Sequence, residues 1–399
     1  MKNSRFACLT VMICLMAFAL PNPIAAQEHY RIFRLPSLGG TSSAAISVNS
    51  QGWVSGFSNQ PGDQTQHAVL WVDGFKIDLG TLGGPNSAVE WPNHNDRAVV
   101  GIAETAALQP LGEQWSCSDF FPTVTGHICL GFVWQNGVMY PLPTLGGDNG
   151  YAAGANHLGQ VVGWAETPVH DSTCSGRDQV LQFLAVIWGP GRGEIRPLPP
   201  LPIDPDSAAT AINDKGQAVG ISGLCDQAVG RFSARHAVLW EHGVPTNIGS
   251  LGGQTWNTPG AINNRGQVTG FSDLPGDDPN NPNFHAFFWS KETGNPPQDL
   301  GVLPGDAISL GLGINDQGQV VGQSIGATSR AFIWEKGKLI DLNTLVPAGS
   351  PSLLFANDIN DRGEIVGQAL DSTTGVSFAF VAVPSDTPGP RTSASGARP

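Results

Sequence analysis

Short apolar segments alternate with glycine-rich turns along this chain, and the same order of segments returns seven times. Each copy reads roughly Ile-Asn-Asp-x-Gly-Gln-Val-Val-Gly, then a variable stretch, then an apolar segment ending in Trp, then Asp-Leu and Leu-Gly-Gly. The turns begin 45 to 62 residues apart, at Asn49, His94, Asn156, Asn213, Asn263, Asn315 and Asn360. Such a period predicts a repeat architecture, in which the recurring residues belong to the scaffold.

Each copy contains four strand-like segments. Asn or Asp early in the turn and Gly at its fourth place favour a tight hairpin between the first two. The third segment, such as 285–289, is apolar on both faces, so both faces need cover. No segment after residue 30 has convincing helical spacing. The pattern therefore predicts an all-β fold, a seven-bladed β-propeller with four antiparallel strands per blade.

The two ends of the chain indicate how the ring closes. The last copy has a third strand at 378–381 and no fourth strand after it, whereas 30–35 is a fourth strand with nothing before it. We expect this N-terminal strand to complete the last blade, which removes two exposed edges. The second copy is the degenerate one, with His94 and Arg97 in place of Asn and Gly.

Taken together, these motifs resemble the HAF-repeat family of extracellular bacterial proteins, named for the triplet that stands here at His285-Ala286-Phe287. The resemblance covers about 30–383, and it departs from the family pattern where the His is replaced, at Leu130, Leu184, Arg330 and Phe378. It implies an exported repeat protein and supplies no catalytic residues.

Three regions are expected along the chain. Residues 1–26 have a basic start, an apolar run and a small-residue site ending at Ala26, which is typical of a cleaved signal peptide. Residues 27–383 form the propeller, and 384–399 are expected to be a disordered tail. The mature protein is therefore expected outside the cytoplasm, secreted or periplasmic, without a membrane span and as a monomer.

The charge balance excludes one class of partner. Lys and Arg total 20 against 33 Asp and Glu, a formal net charge of −13, and no basic cluster stands out. Such a chain repels phosphate backbones, so nucleic acid is not expected as a partner.

Four cysteines remain once the signal peptide is removed, and an even number in an exported chain favours disulfides. Four cysteines allow three pairings. Cys117 and Cys129 share one variable loop, while Cys174 and Cys225 lie in matching loops of adjacent copies. We therefore expect Cys117 to pair with Cys129 and Cys174 with Cys225.

The loops between the second and third strands vary most, and they are expected on one face of the ring: 103–129, 165–183, 222–235 and 272–284. Elaborated loops on a rigid frame are the usual place for function. Four Trp residues outside the repeat pattern are candidate ligand-binding residues, namely Trp91, Trp115, Trp164 and Trp256. The repeated His67, His236 and His285 and the repeated Trp are expected to be scaffold.

The chemistry of catalysis is not apparent. The sequence has no nucleophile elbow, metal-binding helix or phosphate loop, so no catalytic residue is assigned and no metal or cofactor is expected. Asp277 and Asp278 offer a calcium alternative to a solvated turn. The sequence favours a non-catalytic scaffold that binds a glycan, peptide or surface partner. A hydrolase or lyase with an axial site, or a self-associating adhesive component, are the alternatives.

Overall fold

The computed structural model describes residues 29–386 apart from 93–94, 115–116, 118–119, 175–178, 192, 227–229 and 277–282. The expected signal peptide therefore lies outside the described residues, as does almost all of the expected tail. The chain forms a ring of seven four-stranded antiparallel sheets, which confirms the β-propeller. No helix in the described part of the chain is long and apolar enough to span a bilayer.

Strand β1 (Tyr30–Arg34) comes first in the chain and belongs to the last blade. Blades 1 to 3 contain, in chain order, β2 (Ser43–Val48), β3 (Val54–Asn59), β4 (Gln66–Val72), β5 (Phe75–Asp78), β6 (Gly83–Ala88), β7 (Val99–Leu108), β8 (His127–Gln135), β9 (Val138–Pro141), β10 (Gly150–Ala155), β11 (Val161–His170), β12 (Leu181–Trp188) and β13 (Ile195–Leu198). Blades 4 to 6 contain β14 (Asp206–Ile212), β15 (Ala218–Gly223), β16 (His236–Glu241), β17 (Val244–Asn247), β18 (Thr258–Ile262), β19 (Val268–Asp273), β20 (Phe284–Trp289), β21 (Gln298–Gly301), β22 (Ile308–Ile314), β23 (Val320–Ile325), β24 (Ser329–Glu335) and β25 (Lys338–Asp341). A 3₁₀ turn (Leu342–Thr344) leads to blade 7, which contains β26 (Ser352–Ile359), β27 (Ile365–Asp371) and β28 (Val376–Pro384).

The ring closes as we predicted from the sequences at the two ends of the chain. β1 pairs antiparallel with β28, from Tyr30 opposite Pro384 to Arg34 opposite Phe380. Blade 7 thus takes three strands from the C-terminal end and its outermost strand from the N-terminal end. Pairing strands from opposite ends of the chain ties the first and last blades together.

In each blade the first strand lies nearest the axis and the fourth lies outermost. Because successive strands run in opposite directions, the connections between them lie at two distinct ends of the ring. Short turns join the first strand to the second and the third to the fourth at one end, which we call the turn face. The variable loops and the connections to the next blade lie at the other end, which we call the loop face. In blades 2 and 3 the second strand is longer than expected, because β7 and β11 are each 10 residues long and end at Leu108 and His170, inside segments that the sequence suggested were loops.

The core lies between neighbouring blades. Val238 and Trp240 of blade 4, for example, are buried against Val162 and Ile187 of blade 3. The repeated Trp also has a polar role, because Trp240 Nε1 donates to the backbone oxygen of Pro199 at 2.7 Å. Trp71 and Trp188 donate in the same way to Pro36 and Pro143. These Trp residues are therefore scaffold, as expected.

The glycine that ends each hairpin motif is required by close packing. The first strand of each blade carries an irregularity in register, as between Ala152 and Gly154. A Cβ on Gly163 of the second strand would overlap the backbone oxygen of Tyr151. Any side chain at this place would therefore push the two strands apart.

The alignment of the second copy needs a correction. Asn95, not His94, occupies the place of the repeated Asn, since its Nδ2 donates to the backbone oxygen of Asn156. Asn95 Oδ1 accepts from the backbone of Arg97 and Ala98, two and three residues on. In the turn of Asn213, by contrast, the Asn Oδ1 accepts from the backbone N–H groups two and four residues further along the chain. The turn of Asn95 is one residue shorter, so it needs no Gly where Arg97 lies, and His94 itself lies outside the described residues.

Candidate functional sites

The turn face carries an inner circle of side chains around the axis, formed by the Asn that opens each turn. Asn263 Nδ2 donates to the backbone oxygen of Asn315 at 2.8 Å, and its Oδ1 accepts from two N–H groups of its own turn. Six such bonds between neighbouring blades are described, and they start from Asn95, Asn156, Asn213, Asn263, Asn315 and Asn360. The repeated Asn therefore links the blades at the axis.

The residue after each Asn forms a second circle. Its side-chain oxygen accepts the backbone N–H of the equivalent residue in the preceding blade, as Asp316 Oδ1 does from Asn264 at 2.8 Å. The same bond is made by Asp96 with Ser50, by Asp214 with His157, by Asn264 with Asp214 and by Asp361 with Asp316. The four carboxylates in this circle, Asp96, Asp214, Asp316 and Asp361, stabilise the ring through charge-assisted hydrogen bonds.

His157 is the one member of this second circle, among the described residues, that brings a titratable base between two acids. Its Nε2 lies 3.2 Å from the Asp96 carboxylate and its Nδ1 lies 3.0 Å from that of Asp214. Burial lowers the pKa of His157, but the bonds to Asp214 and Asp96 outweigh it and raise the pKa above its ordinary value. For Asp214, burial raises the pKa of the carboxyl, but the bonds to His157 outweigh burial and lower that pKa on balance.

A histidine and carboxylates do converge at the axial mouth of the turn face, as an axial active site would require. The cavity there has a volume of about 80 Å³ and is lined beneath the polar circles by Ile212, Ile262 and Ile314. Small-molecule sites usually occupy about 300 Å³ or more. The carboxylates also already accept backbone N–H groups, so the acids at this small mouth take part in the contacts between blades.

At the loop face, the long loop of blade 2 leans over its neighbours. Gln66 of blade 1 donates to the backbone oxygen of Phe120, and the Phe120 ring stacks on Tyr151 of blade 3 at 5.1 Å between centroids. Cys117 and Phe121 are buried in the same apolar cluster. This loop therefore covers part of the loop-face end of the ring.

A buried polar network anchors the same loop to blade 3. Glu113 Oε1 accepts from the backbone of Val180 at 2.8 Å and of Leu181 at 2.7 Å. Asn149 Nδ2 donates to both Glu113 and Glu166. Burial, together with the nearby Glu113 carboxyl, raises the pKa of Glu166 to about 7. The loop is thus held by specific bonds.

Half of the large apolar side chains that are exposed in the described part of the chain lie at the loop face of three consecutive blades. Six large apolar side chains there have exposed fractions between 42% and 74%: Leu108, Leu111, Val124, Val169, Ile203 and Phe232. Leu108 and Val169 lie near the ends of the two lengthened strands, β7 and β11. We call this set the loop-face surface. Exposed apolar side chains on one face make a candidate binding surface.

Both expected disulfides are present and lie at this surface. Cys117 pairs with Cys129 inside the blade 2 loop, with Cα atoms 5.6 Å apart. Cys174 pairs with Cys225 and joins blade 3 to blade 4, with Cα atoms 4.5 Å apart. The bonds restrain the same three blades that carry the exposed side chains.

The four candidate Trp residues lie in different surroundings. Trp164 is 1% exposed on β11 and packs edge-on against Phe183, so the expectation of an exposed loop position is wrong for it. Trp91 is half-buried and packs against the same cluster as Tyr151. Trp256 is half-buried at the loop face, 6.3 Å from the Phe284 ring. Trp115 lies outside the described residues, and none of the three described candidates is an exposed side chain.

The repeated His residues brace their own blades, as expected of scaffold. His67 pairs with Asp78 and His285 with Asp299, in each case from the third strand to the fourth. No group of three or more potential metal ligands occurs within the described ranges. Asp277 and Asp278, the calcium alternative, lie outside them.

Comparisons with known proteins bear on the fold alone. No protein-family profile matches this chain, and no curated protein matches it either. The acylaminoacyl peptidase of Pyrococcus horikoshii superposes with a TM-score of 0.50 at 9% identity, over 87% of this chain and 52% of that one. This chain therefore spans about half the length of that peptidase. A gluconolactonase of Xanthomonas campestris superposes with a TM-score of 0.38 at 9% identity, over 90% and 92% of the two chains.

Sequence reasoning missed the loop-face surface and the His157 contacts. The aliphatic residues at the ends of β7 and β11 lie in segments predicted to be loops, so no signal in the sequence indicated that they end projecting strands. The partners of His157 belong to other copies of the repeat, 61 and 57 residues away, so spacing within one copy gives no signal. The position of Trp164 could have been found, because Phe57, Ile221 and Phe271 also follow the second-strand Gly.

Proposed function

We propose that this chain is an exported, non-catalytic β-propeller of the HAF-repeat type that binds a protein partner through its loop-face surface. The observation that carries the proposal is the exposure of six large apolar side chains on one face of blades 2 to 4. Two disulfides restrain this region, and they suit an oxidising compartment.

The chemistry of the surface favours a protein partner over a glycan. Five of the six side chains are aliphatic, whereas sugar recognition relies on the flat faces of Trp and Tyr. Among the Trp candidates that the structure describes, Trp164 is buried and the other two are half-buried. Aliphatic side chains suit the apolar residues of an extended peptide or a protein surface.

A non-catalytic role is also supported by the axial mouth of the turn face. Its carboxylates accept backbone N–H groups of the adjacent blades, and its cavity is small. The residues that look most like an active site are thus those that link the blades.

The test uses the mature chain and a variant that changes three exposed residues, Leu108→Ser, Val169→Ser and Ile203→Ser. A matched control changes three exposed residues that follow turns of the opposite face, Phe75→Ser, Val138→Ser and Val244→Ser. Each protein is applied to an array of apolar peptides and to a glycan array. We expect peptides to be bound by the wild type and the control, and binding to fall about ten-fold or more in the loop-face variant, since hot-spot residues dominate affinity. Binding to glycans alone, to no peptide, or equally by both variants would contradict the proposal.

A further inference from the structure

One blade departs from a pairing that recurs in three others. In blades 1, 5 and 6 a basic side chain at the start of the third strand pairs with an Asp of the fourth: His67 with Asp78, His285 with Asp299 and Arg330 with Asp341. In blade 4 the equivalent fourth-strand residue is Asn247, as its register opposite Val238 shows. His236 therefore has no fourth-strand carboxylate.

His236 turns to a different acid. Its Nδ1 lies 2.8 Å from Asp204, whose side chain is fully buried and also accepts from Ser222 Oγ at 2.7 Å. Burial raises the pKa of Asp204, but the bonds from His236 and Ser222 and the nearby charge of Arg235 lower it on balance. Asp204 therefore remains ionised. Its contact with Nδ1 orients the His236 imidazole so that Nε2 points away from Asp204.

The side chain next to His236 is a cation without an ion pair in the described part of the structure. Arg235 lies where blades 1, 5 and 6 have Gln66, Phe284 and Ser329, none of which carries a charge. The charge of Arg235 helps to lower the pKa of Asp204, but that carboxylate is already bonded to His236.

These two side chains line a cavity of about 260 Å³ at the loop face, together with Asn247 and Gln254. Asn247 Oδ1 accepts from the backbone of Gly249 at 2.8 Å, which leaves its Nδ2 as a donor. His236 Nδ1 faces Asp204, which leaves Nε2 on the other side of the imidazole ring. The Arg235 guanidinium and the Asn247 amide are thus donors around one space, with the His236 ring beside them.

We propose that this cavity binds an oxyanion, either the carboxylate or the phosphate group of a small ligand. Charge-assisted bonds from an Arg guanidinium are among the strong interactions that such a group makes. The volume lies just below that of sites for drug-sized ligands, so it suits one acidic group with a small part of its carrier. The site does not depend on the apolar loop-face surface.

The decisive variant is Asn247→Asp, which restores the residue that blades 1, 5 and 6 have. The new carboxylate would pair with His236 or Arg235 and repel an anion. The local turn should persist, because Gly80 donates to Asp78 as Gly249 does to Asn247. Arg235→Gln removes the cation directly. His285→Gln breaks the equivalent pair of blade 5 and is the control.

The mature protein is titrated by calorimetry with inorganic phosphate and, separately, with glucuronate. We expect saturable binding of at least one, weakened about ten-fold or more by Asn247→Asp and by Arg235→Gln and unchanged by His285→Gln. Which anion binds assigns the phosphate or the carboxylate class. Absence of saturable binding for both anions, equal affinity in Asn247→Asp, or an equal loss in His285→Gln would overturn the proposal. The loop-face surface is intact in all these variants, so the proposed peptide binding stands or falls separately.

Discussion

At the scale of single residues, several buried carboxyls have a pKa that burial raises. It reaches about 8 for Glu90 and Asp206 and about 7 for Glu166, with burial as the largest cause in each. Asp206 also bonds to Asp171, which requires a proton on one of the two carboxyls. The folded state therefore holds protons that the unfolded chain releases above about pH 4. The contribution of these groups to stability is present in acid and is lost as the pH rises towards 8.

Asp206→Asn tests this sign, because the Asn amide imitates the protonated carboxyl that donates to Asp171. We expect the variant to match the wild type near pH 4 and to gain on it as the pH rises to 8, by at most about 1.4 kcal/mol per pH unit. Urea unfolding at pH 4, 6 and 8 measures the difference. The exposed Asp73→Asn is the control and should show no such trend. A constant difference across this range would refute the shared proton.

At the scale of elements, the hairpin turns are interlocked, and this explains the polar part of the repeat. Asn263 bonds to its own turn through Oδ1 and to the next blade through Nδ2, and it is 5% exposed. The repeated sequence therefore encodes contacts between blades as well as the turn itself.

Asn263→Ala removes these bonds and leaves the buried backbone oxygen of Asn315 without its donor. We expect the free energy of unfolding to fall by about 2–3 kcal/mol. Arg265→Ala changes an exposed residue of the same turn and should alter stability by less than about 0.5 kcal/mol. Chemical denaturation of both variants measures this, and similar values for the two would show that the Asn bond between blades contributes little.

How far the sequence predicts the structure also depends on the element. The blades, their order and the disulfide pairs follow from the repeat, because equivalent residues recur and departures such as the four cysteines are visible. The projecting ends of β7 and β11 do not follow, since whether a strand continues into a variable segment depends on packing that no repeat encodes. The cavity lined by Arg235 and His236 is an intermediate case. Asn247 is a visible departure from the repeat, but only the structure shows that His236 pairs with Asp204.

At the scale of the whole molecule, the contacts that hold the ring together and the surfaces that we propose for binding lie on opposite faces. The turn face holds the blades together through the two circles of polar side chains, while the loop face presents exposed apolar residues and the pocket of Arg235. This division requires a closed ring, since an open array of blades would leave inner faces of the first and last blades uncovered.

Hydrogen exchange of the N-terminal strand measures that closure directly. In the ladder with β28, alternate amides of Tyr30–Arg34 donate to the strand from the other end of the chain. We expect these amides to be protected about as strongly as those of β27 in the same blade, because opening them would open the ring. Exchange of Tyr30–Arg34 at the rate of an unstructured peptide, with β27 protected, would contradict the closed propeller and the two-face account with it.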